Sequence, residues 1–391
     1  MVAPGFPRTA QELLRRGEDF RTELRAYKQR TRLPGGWYPF ESLSSLAIVA
    51  DLLSTSFPEI LDSCAARPAA DIGCGDGDFA LLLANWGMAV DAIDYEPNNF
   101  NGMRGVDTAR QALGLPVDVH RIDLDKLADL PRSEYGLSLF LGTLYHLKNP
   151  YGLLETLAFR THWCVLSTRI AQVAPATGIR IEEEPLAYLA DGREVGGDAT
   201  NFWFFSPRGL LRLLQRTRWA IRAVRRVDCL RDSNPVDPAA DERAFVLIQS
   251  RVFYPGLAAR PAQGWHQPED GGWRWTAKAF SLDVVLPLER PVVSFVLHAS
   301  IPEAVIAASG AVTIGCAISG AHIGDATYST SGPIEFRCDL PPFALHDPQL
   351  RLDFSVLSSF AAPEEDRREL GLRVPFADSP DTGHIPFSVV E

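Results

Sequence analysis

Apolar positions over the first 250 residues alternate between helical spacing and short continuous runs. Over residues 10–30, Leu13, Phe20, Leu24 and Tyr27 fall on one stripe with arginines opposite, which predicts an amphipathic helix. A Gly/Pro turn, LPGGWYPF (33–40), separates it from a second helical stretch, ESLSSLAIVADLLSTSF. From about residue 68, PAADIGC, MAVDAID, PVDVHRID, YGLSLFL and HWCVLST read as strands, and WAIRAVRRVD and RAFVLIQSRV as two last ones. FALLLANW, FNGMRGVDTARQAL, YGLLETLAF and PRGLLRLLQRT read as the helices between them. This alternation predicts an α/β domain, a Rossmann-like doubly wound parallel sheet covered on both faces.

After Tyr254 the helical period disappears. FSLDVVL, VVSFVLHAS, AVTIGCAIS, IEFRCDL, LRLDFSVLS and LGLRVPF are short β-type runs separated by turn residues, the pattern of an all-β sandwich of jelly-roll-like form. The change of texture falls near PGLAARPAQG (255–264). Three segments are therefore expected: a helical extension over 1–64, the α/β domain over 65–254 and the sandwich over 255–391.

Composition alters this picture little. Hydrophobic residues at 46% and charged ones at 22% are ordinary for a globular chain. The first residues lack an apolar leader and no run reaches membrane-spanning length, so no membrane span and a cytoplasmic location are expected. Six scattered cysteines, without a CxxC pair or a histidine cluster, predict neither a disulfide framework nor a metal site. Of the net charge of −11, −8 lies from residue 255 onward. Nucleic-acid binders present a basic field, so a nucleic-acid partner is not expected. The arginine run from Arg212 to Arg226 reads as solvated surface.

The strongest chemical signal is AADIGCGDGDF (69–79). Asp71 ends a buried strand, and Gly73, Gly75 and Gly77 follow around Cys74, letting the backbone turn tightly and approach a ligand. The spacing is G-x-G-x-G, not the G-x-G-x-x-G of dinucleotide sites. A second acid, Asp94, ends the next strand, where a carboxylate can accept both hydroxyls of a ribose. Asp123, between Ile122 and Leu124, sits at the end of the third, suited to an adenine amino group or to a plain exposed loop.

These stations resemble class I S-adenosylmethionine-dependent methyltransferases over roughly residues 65–250. The resemblance implies S-adenosylmethionine as cofactor, held by Asp71, Gly73, Cys74, Gly75, Gly77, Asp94, Tyr95, Asp123, Leu124 and Gly142. LGTLYHLKNPYGLLETLA (141–158), NFWFFSPRGLLRLL (201–214), ERAFVLIQ (242–249) and GGWYPF (35–40) resemble segments of the tRNA wobble-uridine carboxymethyltransferase family. In that family a lysine, a tyrosine and an arginine hold the extra carboxylate of a carboxylated cofactor. Tyr145 and Arg243 match two of them. The lysine has no counterpart in GGWYPF, so the plain cofactor is expected.

On the acceptor side, Tyr145 and His146 are the candidates to face the methyl group. His146 is either a general base or a residue that packs its loop. The polar stretch 181–203 reads either as a substrate lid, with Glu182, Glu183, Asp198 and Asn201 as candidates, or as a solvated acidic loop, and Trp37 and Tyr38 either roof the pocket or simply pack. Trp265, Trp273 and Trp275 open the C-terminal domain in a segment resembling β-domains beside bacterial surface-polysaccharide enzymes. They are either a glycan-stacking face or core anchors. The expected activity is O-methylation of a sugar, glycolipid or related small-molecule acceptor. The alternatives are a tRNA wobble-uridine methyltransferase and an inactive binding module.

Overall fold

The computed structural model describes residues 6–126, 130–228, 231–253, 258–269, 272–285, 294–341, 349–357, 360–361, 369–375 and 387–390. The chain divides into two compact units, Met1–Tyr254 and Pro255–Glu391.

The first unit opens with α1 (Ala10–Arg30), whose first turn is capped by the Thr9 hydroxyl accepting from the Glu12 backbone N–H. The predicted second helix is α2 (Leu46–Ser54), and an unpredicted α3 (Phe57–Ala66) follows it after a break at Thr55–Ser56. Seven strands then form the central sheet: β1 (Ala69–Ile72), β2 (Val90–Asp94), β3 (Val117–Arg121), β4 (Tyr135–Leu141), β5 (Thr161–Arg169), β8 (Trp219–Val227) and β9 (Arg243–Ser250). Their order is β3-β2-β1-β4-β5-β9-β8. The sheet is parallel except for β9, which runs antiparallel to both neighbours.

Helices α4 (Asp78–Asn85), α5 (Arg104–Leu113), α6 (Pro150–Ala158) and α7 (Pro207–Arg216) connect the strands. The last two start on capping side chains, Asn149 and Ser206, each followed by a proline at the first helical position. One apolar core packs α1–α4 against the sheet, and another packs α6 and α7.

The stretch expected as an open lid is a structured insertion between β5 and α7. It carries the hairpin of β6 (Ala187–Leu189) and β7 (Trp203–Phe205), with Phe204, Ile181, Ala190 and Ala171 forming a small core. Arg218, Arg225 and Arg226 of the basic run pair with Glu155, Asp51 and Glu242, so these three do not form an unbalanced basic field.

The second unit is built on two large antiparallel sheets, beside a short pair formed by Phe360–Ala361 and Glu369–Leu370. One contains Ala258–Pro261, Ala279–Val285, Gln349–Val356, Val312–Ile318 and Ala321–Tyr328; the other contains Trp265–Glu269, Trp273–Thr276, Arg373–Pro375, Ser294–Ile301 and Gly332–Asp339, with Phe387–Val390 paired to Ser294–Ile301. Their facing sides share one core around Phe280, Phe295, Phe336 and Phe354.

Of the three tryptophans singled out above, Trp265 packs against this core and donates from Nε1 to the Ser281 carbonyl at 2.8 Å. Trp273 and Trp275 meet edge-to-face, and the Arg373 guanidinium lies 3.7 Å from the Trp273 ring centre. Five cysteines are buried and unbridged, and Cys229 lies outside the described residues. Among the described residues no single helix is long and apolar enough to cross a membrane.

Candidate active site

The loop after β1 turns through positive φ at Gly73 (+70°), Gly75 (+59°) and Gly77 (+75°), the region where a Cβ is strained. Close packing adds to this at Gly73, where a Cβ would lie 2.1 Å from Thr143 Oγ1. At Gly75 a Cβ would meet only the Tyr38 ring, at an ordinary contact distance of 3.9 Å.

Asp94 holds the loop from β2. Its Oδ2 accepts from the Gly75 N–H at 3.0 Å and from Asn99 Nδ2 at 2.8 Å, while Oδ1 accepts from the Tyr95 N–H at 2.8 Å. Burial raises the Asp94 carboxyl above its usual range despite these donors. Asn99, which also donates to the Gly75 carbonyl at 3.1 Å, was not singled out from the sequence.

Asp71 is buried beneath the loop and accepts from the Ala80 N–H at 3.0 Å. Burial, with Asp78 and Asp94 close by, pushes its carboxyl up to about 7. Cys74 is buried and its thiol is pushed well up, first by desolvation. Asp123, beyond β3, accepts from the Asp125 N–H and pairs with Lys126 at 3.0 Å, and Leu124 packs into the core.

A second set of residues grips the loop from outside. Lys28, at the end of α1, places Nζ 2.6 Å from Asp78 and 3.1 Å from Asp76, two carboxylates almost wholly buried. Asp76 also accepts from Asn101 Nδ2 at 2.7 Å and from the Tyr38 N–H at 2.9 Å. The N-terminal segment is thereby bonded to the glycine loop and sets Tyr38 over Gly75. Sequence reading missed this clamp, although Lys28 is one of only four lysines against 34 arginines. A compact ammonium fits between two carboxylates where a planar guanidinium needs a wider, flat berth.

Past the end of β4 lies the acceptor side. Gly142 is close to Arg243, whose Nη1 lies 3.7 Å from where a Gly142 Cβ would be. Arg243 stands directly opposite Arg169 in the β5–β9 ladder, with Asp241 at 3.6 Å from the first and 2.5 Å from the second. Burial opposes the charge on Arg243, but Tyr145, Asp241 and Tyr38 around it hold the guanidinium firmly protonated.

Tyr145 is buried, and its ring lies 4.1 Å from that of His146. His146 is half-buried; desolvation first, and then Arg243 and Arg169, lower its pKa below the ordinary value, against an opposing pull from Thr200 and Asp198. Nδ1 is bonded to Thr200, and Nε2 has no hydrogen-bond partner among the described residues.

The structure brings Tyr38, Tyr145, His146 and Arg243 together, as their mutual electrostatic influence records. It does not bring Trp37 and Asn201 into that group. Trp37 donates to the Thr31 carbonyl at 2.8 Å and packs on Tyr27 and Lys28. Asn201 is buried, and its amide donates to the Asp198 carbonyl. Glu182 and Glu183 are paired with Arg180 and Arg208.

Residues 67–224 match a methyltransferase-domain family. That match makes this stretch a methyltransferase domain. Two Escherichia coli proteins, each named O-antigen chain terminator bifunctional methyltransferase/kinase WbdD, are 28% and 27% identical to it over 140 and 139 residues. Those stretches are 35% and 34% of this chain but only 18% of either relative. Among solved structures, the N-terminal domain of EvdMO1 with S-adenosylhomocysteine bound is 14% identical, with a TM-score of 0.38, covering 62% of this chain and 97% of that one.

S-adenosylmethionine is the methyl donor of this class, and the loop fits it. A Cβ at Gly75 would meet only the Tyr38 ring, and the Asp94 carboxylate stands at the same turn, within hydrogen-bond distance of the Gly75 N–H.

Proposed function

We propose that the methyltransferase O-methylates a hydroxyl on a sugar or glycolipid acceptor. The observation that carries this reading is His146: an imidazole kept neutral by its surroundings, with Nε2 unpartnered, at the rim where Tyr38, Tyr145 and Arg243 meet. A sugar hydroxyl is a weak nucleophile with a high pKa, so it gains from a base that a thioether or tertiary amine would not need. Two features support the acceptor class. Tyr38, Phe40 and Phe100 form an exposed aromatic rim, with Phe40 71% and Phe100 54% accessible, offering flat faces to a sugar ring. The E. coli relatives, by their name, act on a surface polysaccharide.

When bound, the donor supplies a methyl group activated by its sulfonium. In this reading Asp94 would accept the ribose hydroxyls, the loop at Gly73–Gly77 would let the backbone approach, and Asp123 and Leu124 would hold the adenine. Asp71, Cys74, Tyr95 and Gly142 complete the donor side. His146 Nε2 would take the proton of the acceptor hydroxyl and so free its oxygen to receive the methyl group. Tyr145 and Arg243 orient the acceptor, and Tyr38 limits water.

The test is incubation with methyl-labelled S-adenosylmethionine and, in separate reactions, a bacterial glycolipid extract, nucleotide sugars and total tRNA. Label entering glycolipid or nucleotide sugar, and falling about 100-fold with His146→Gln, is expected. Label entering tRNA alone would overturn the reading.

A further inference from the structure

The insertion between β5 and α7 reaches back to the site at His146. Two oxygens of Thr200, 54 residues further along the chain, lie within bonding distance of Nδ1: the backbone carbonyl at 3.1 Å and Oγ1 at 3.0 Å. A carbonyl oxygen only accepts, so Nδ1 must carry the hydrogen and Nε2 the lone pair. The Thr200 hydroxyl is itself directed away, donating to Asp198 Oδ1 at 2.6 Å, so its lone pair is left for Nδ1.

The remaining bonds keep this arrangement from drifting. Asp198 Oδ1 also accepts from the Thr200 N–H at 2.9 Å, and the Asp198 carbonyl accepts from the Asn201 side chain at 3.1 Å. The Phe202 N–H donates to the Tyr145 carbonyl at 2.8 Å, which ties the insertion to the residue preceding His146.

We propose that Thr200, backed by Asp198, positions His146: it holds the tautomer with a basic Nε2 and offsets the positive charge that develops on the ring when it takes a proton. The offset is needed because Arg243 and Arg169 face the same imidazole and oppose its protonation. Tyr145 lies against the ring. The Asp198 carboxylate acts on His146 in the favourable direction, and it stays ionised: burial works to raise its carboxyl, but hydrogen bonds from the Thr200 hydroxyl and N–H hold it low. Thr200 and Asp198 are positioning residues, acting on the acceptor only through His146, and this role rests on the base reading above.

The decisive experiment is long-range nitrogen–proton spectroscopy of the full-length protein labelled at histidine nitrogen, with His146 assigned by comparison with His146→Gln. The expected spectrum shows His146 protonated at Nδ1 throughout the neutral range. Thr200→Val and Asp198→Asn lower its pKa further and mix in the other tautomer, while Thr200→Ser restores the wild-type pattern. With labelled donor and glycolipid extract, Thr200→Val lowers kcat about tenfold and leaves the KM for S-adenosylmethionine unchanged. A wild-type His146 protonated at Nε2, or a tautomer and pKa indifferent to both substitutions, overturns the positioning role even if His146→Gln is inactive. The predicted spectra together with a fully active His146→Gln overturn the base reading, and the catalytic meaning of the relay with it.

Discussion

The two units differ in what they bury. Met1–Tyr254 encloses the carboxylates of Asp71, Asp76, Asp78, Asp91 and Glu242, each with an exposure of 4% or less. Pro255–Glu391 buries no charged side chain among its described residues, only Thr276, Ser281 and Ser294 besides its apolar core. Burying a charge costs several kcal/mol unless partners compensate it, so a fold keeps such groups only where something else requires them.

In the first unit three of the five sit around the glycine loop. Asp91 and Glu242 are bound into ion-pair networks, with Arg132 and Tyr135 in one case and Arg226 and Gln172 in the other. The β-rich unit is held together by shape and hydrophobic contact. The methyltransferase unit spends stability on an ordered polar loop.

The largest effect that tests this contrast is expected at Lys28. Lys28→Met leaves two buried carboxylates unpaired and should destabilise the first unit by about 3–5 kcal/mol, as read by urea unfolding. It should also weaken S-adenosylhomocysteine binding, because Tyr38 and the loop lose their common anchor. Adding Asp78→Asn should recover much of the stability; a double variant no better than the single one would break the account of the clamp.

A pH series sharpens the comparison next. The fold raises the Asp71 carboxyl from its ordinary value near 4 to about 7, so it favours the neutral form. That favourable contribution is present below pH 4 and is lost as pH rises through 7. Asp71→Asn stays neutral throughout, so it should gain on the wild type with rising pH, by at most about 4 kcal/mol at pH 8. The check is the difference in unfolding free energy at pH 5 and pH 8. A difference that does not grow with pH contradicts it.

The smallest effect lies in the second unit. Phe354 stacks on Phe280 at 4.8 Å and meets Phe295 and Phe336 edge-on. Phe354→Leu should cost about 1–2 kcal/mol with no change in S-adenosylhomocysteine affinity. A parallel loss of affinity would show that the two units are not energetically separate.

What could be read from the sequence divides along the same line. Strand–helix alternation, the glycine loop and Asp94 are local patterns, and each is legible within a dozen residues. α3 escaped because Pro58 inside an apolar stretch reads as a stop, whereas it sits in the first turn, where a missing N–H costs nothing. The reversal of β9 escaped because RAFVLIQ is apolar on both faces and periodicity carries no strand direction. Lys28, Asn101, Arg169 and Thr200 escaped for one shared reason. Their partners come from other elements, 48 residues away for Lys28 and Asp76 and 54 for Thr200 and His146, and no local spacing records such contacts.

The account rests most heavily on the glycine loop and Asp94 as the seat of the methyl donor. Calorimetric titration of S-adenosylhomocysteine into wild type, Asp94→Ala and Gly75→Val tests it directly, with thermal unfolding run alongside. The prediction is a loss of affinity of about 100-fold or more in both variants while each still unfolds cooperatively. Wild-type affinity in both variants would contradict it.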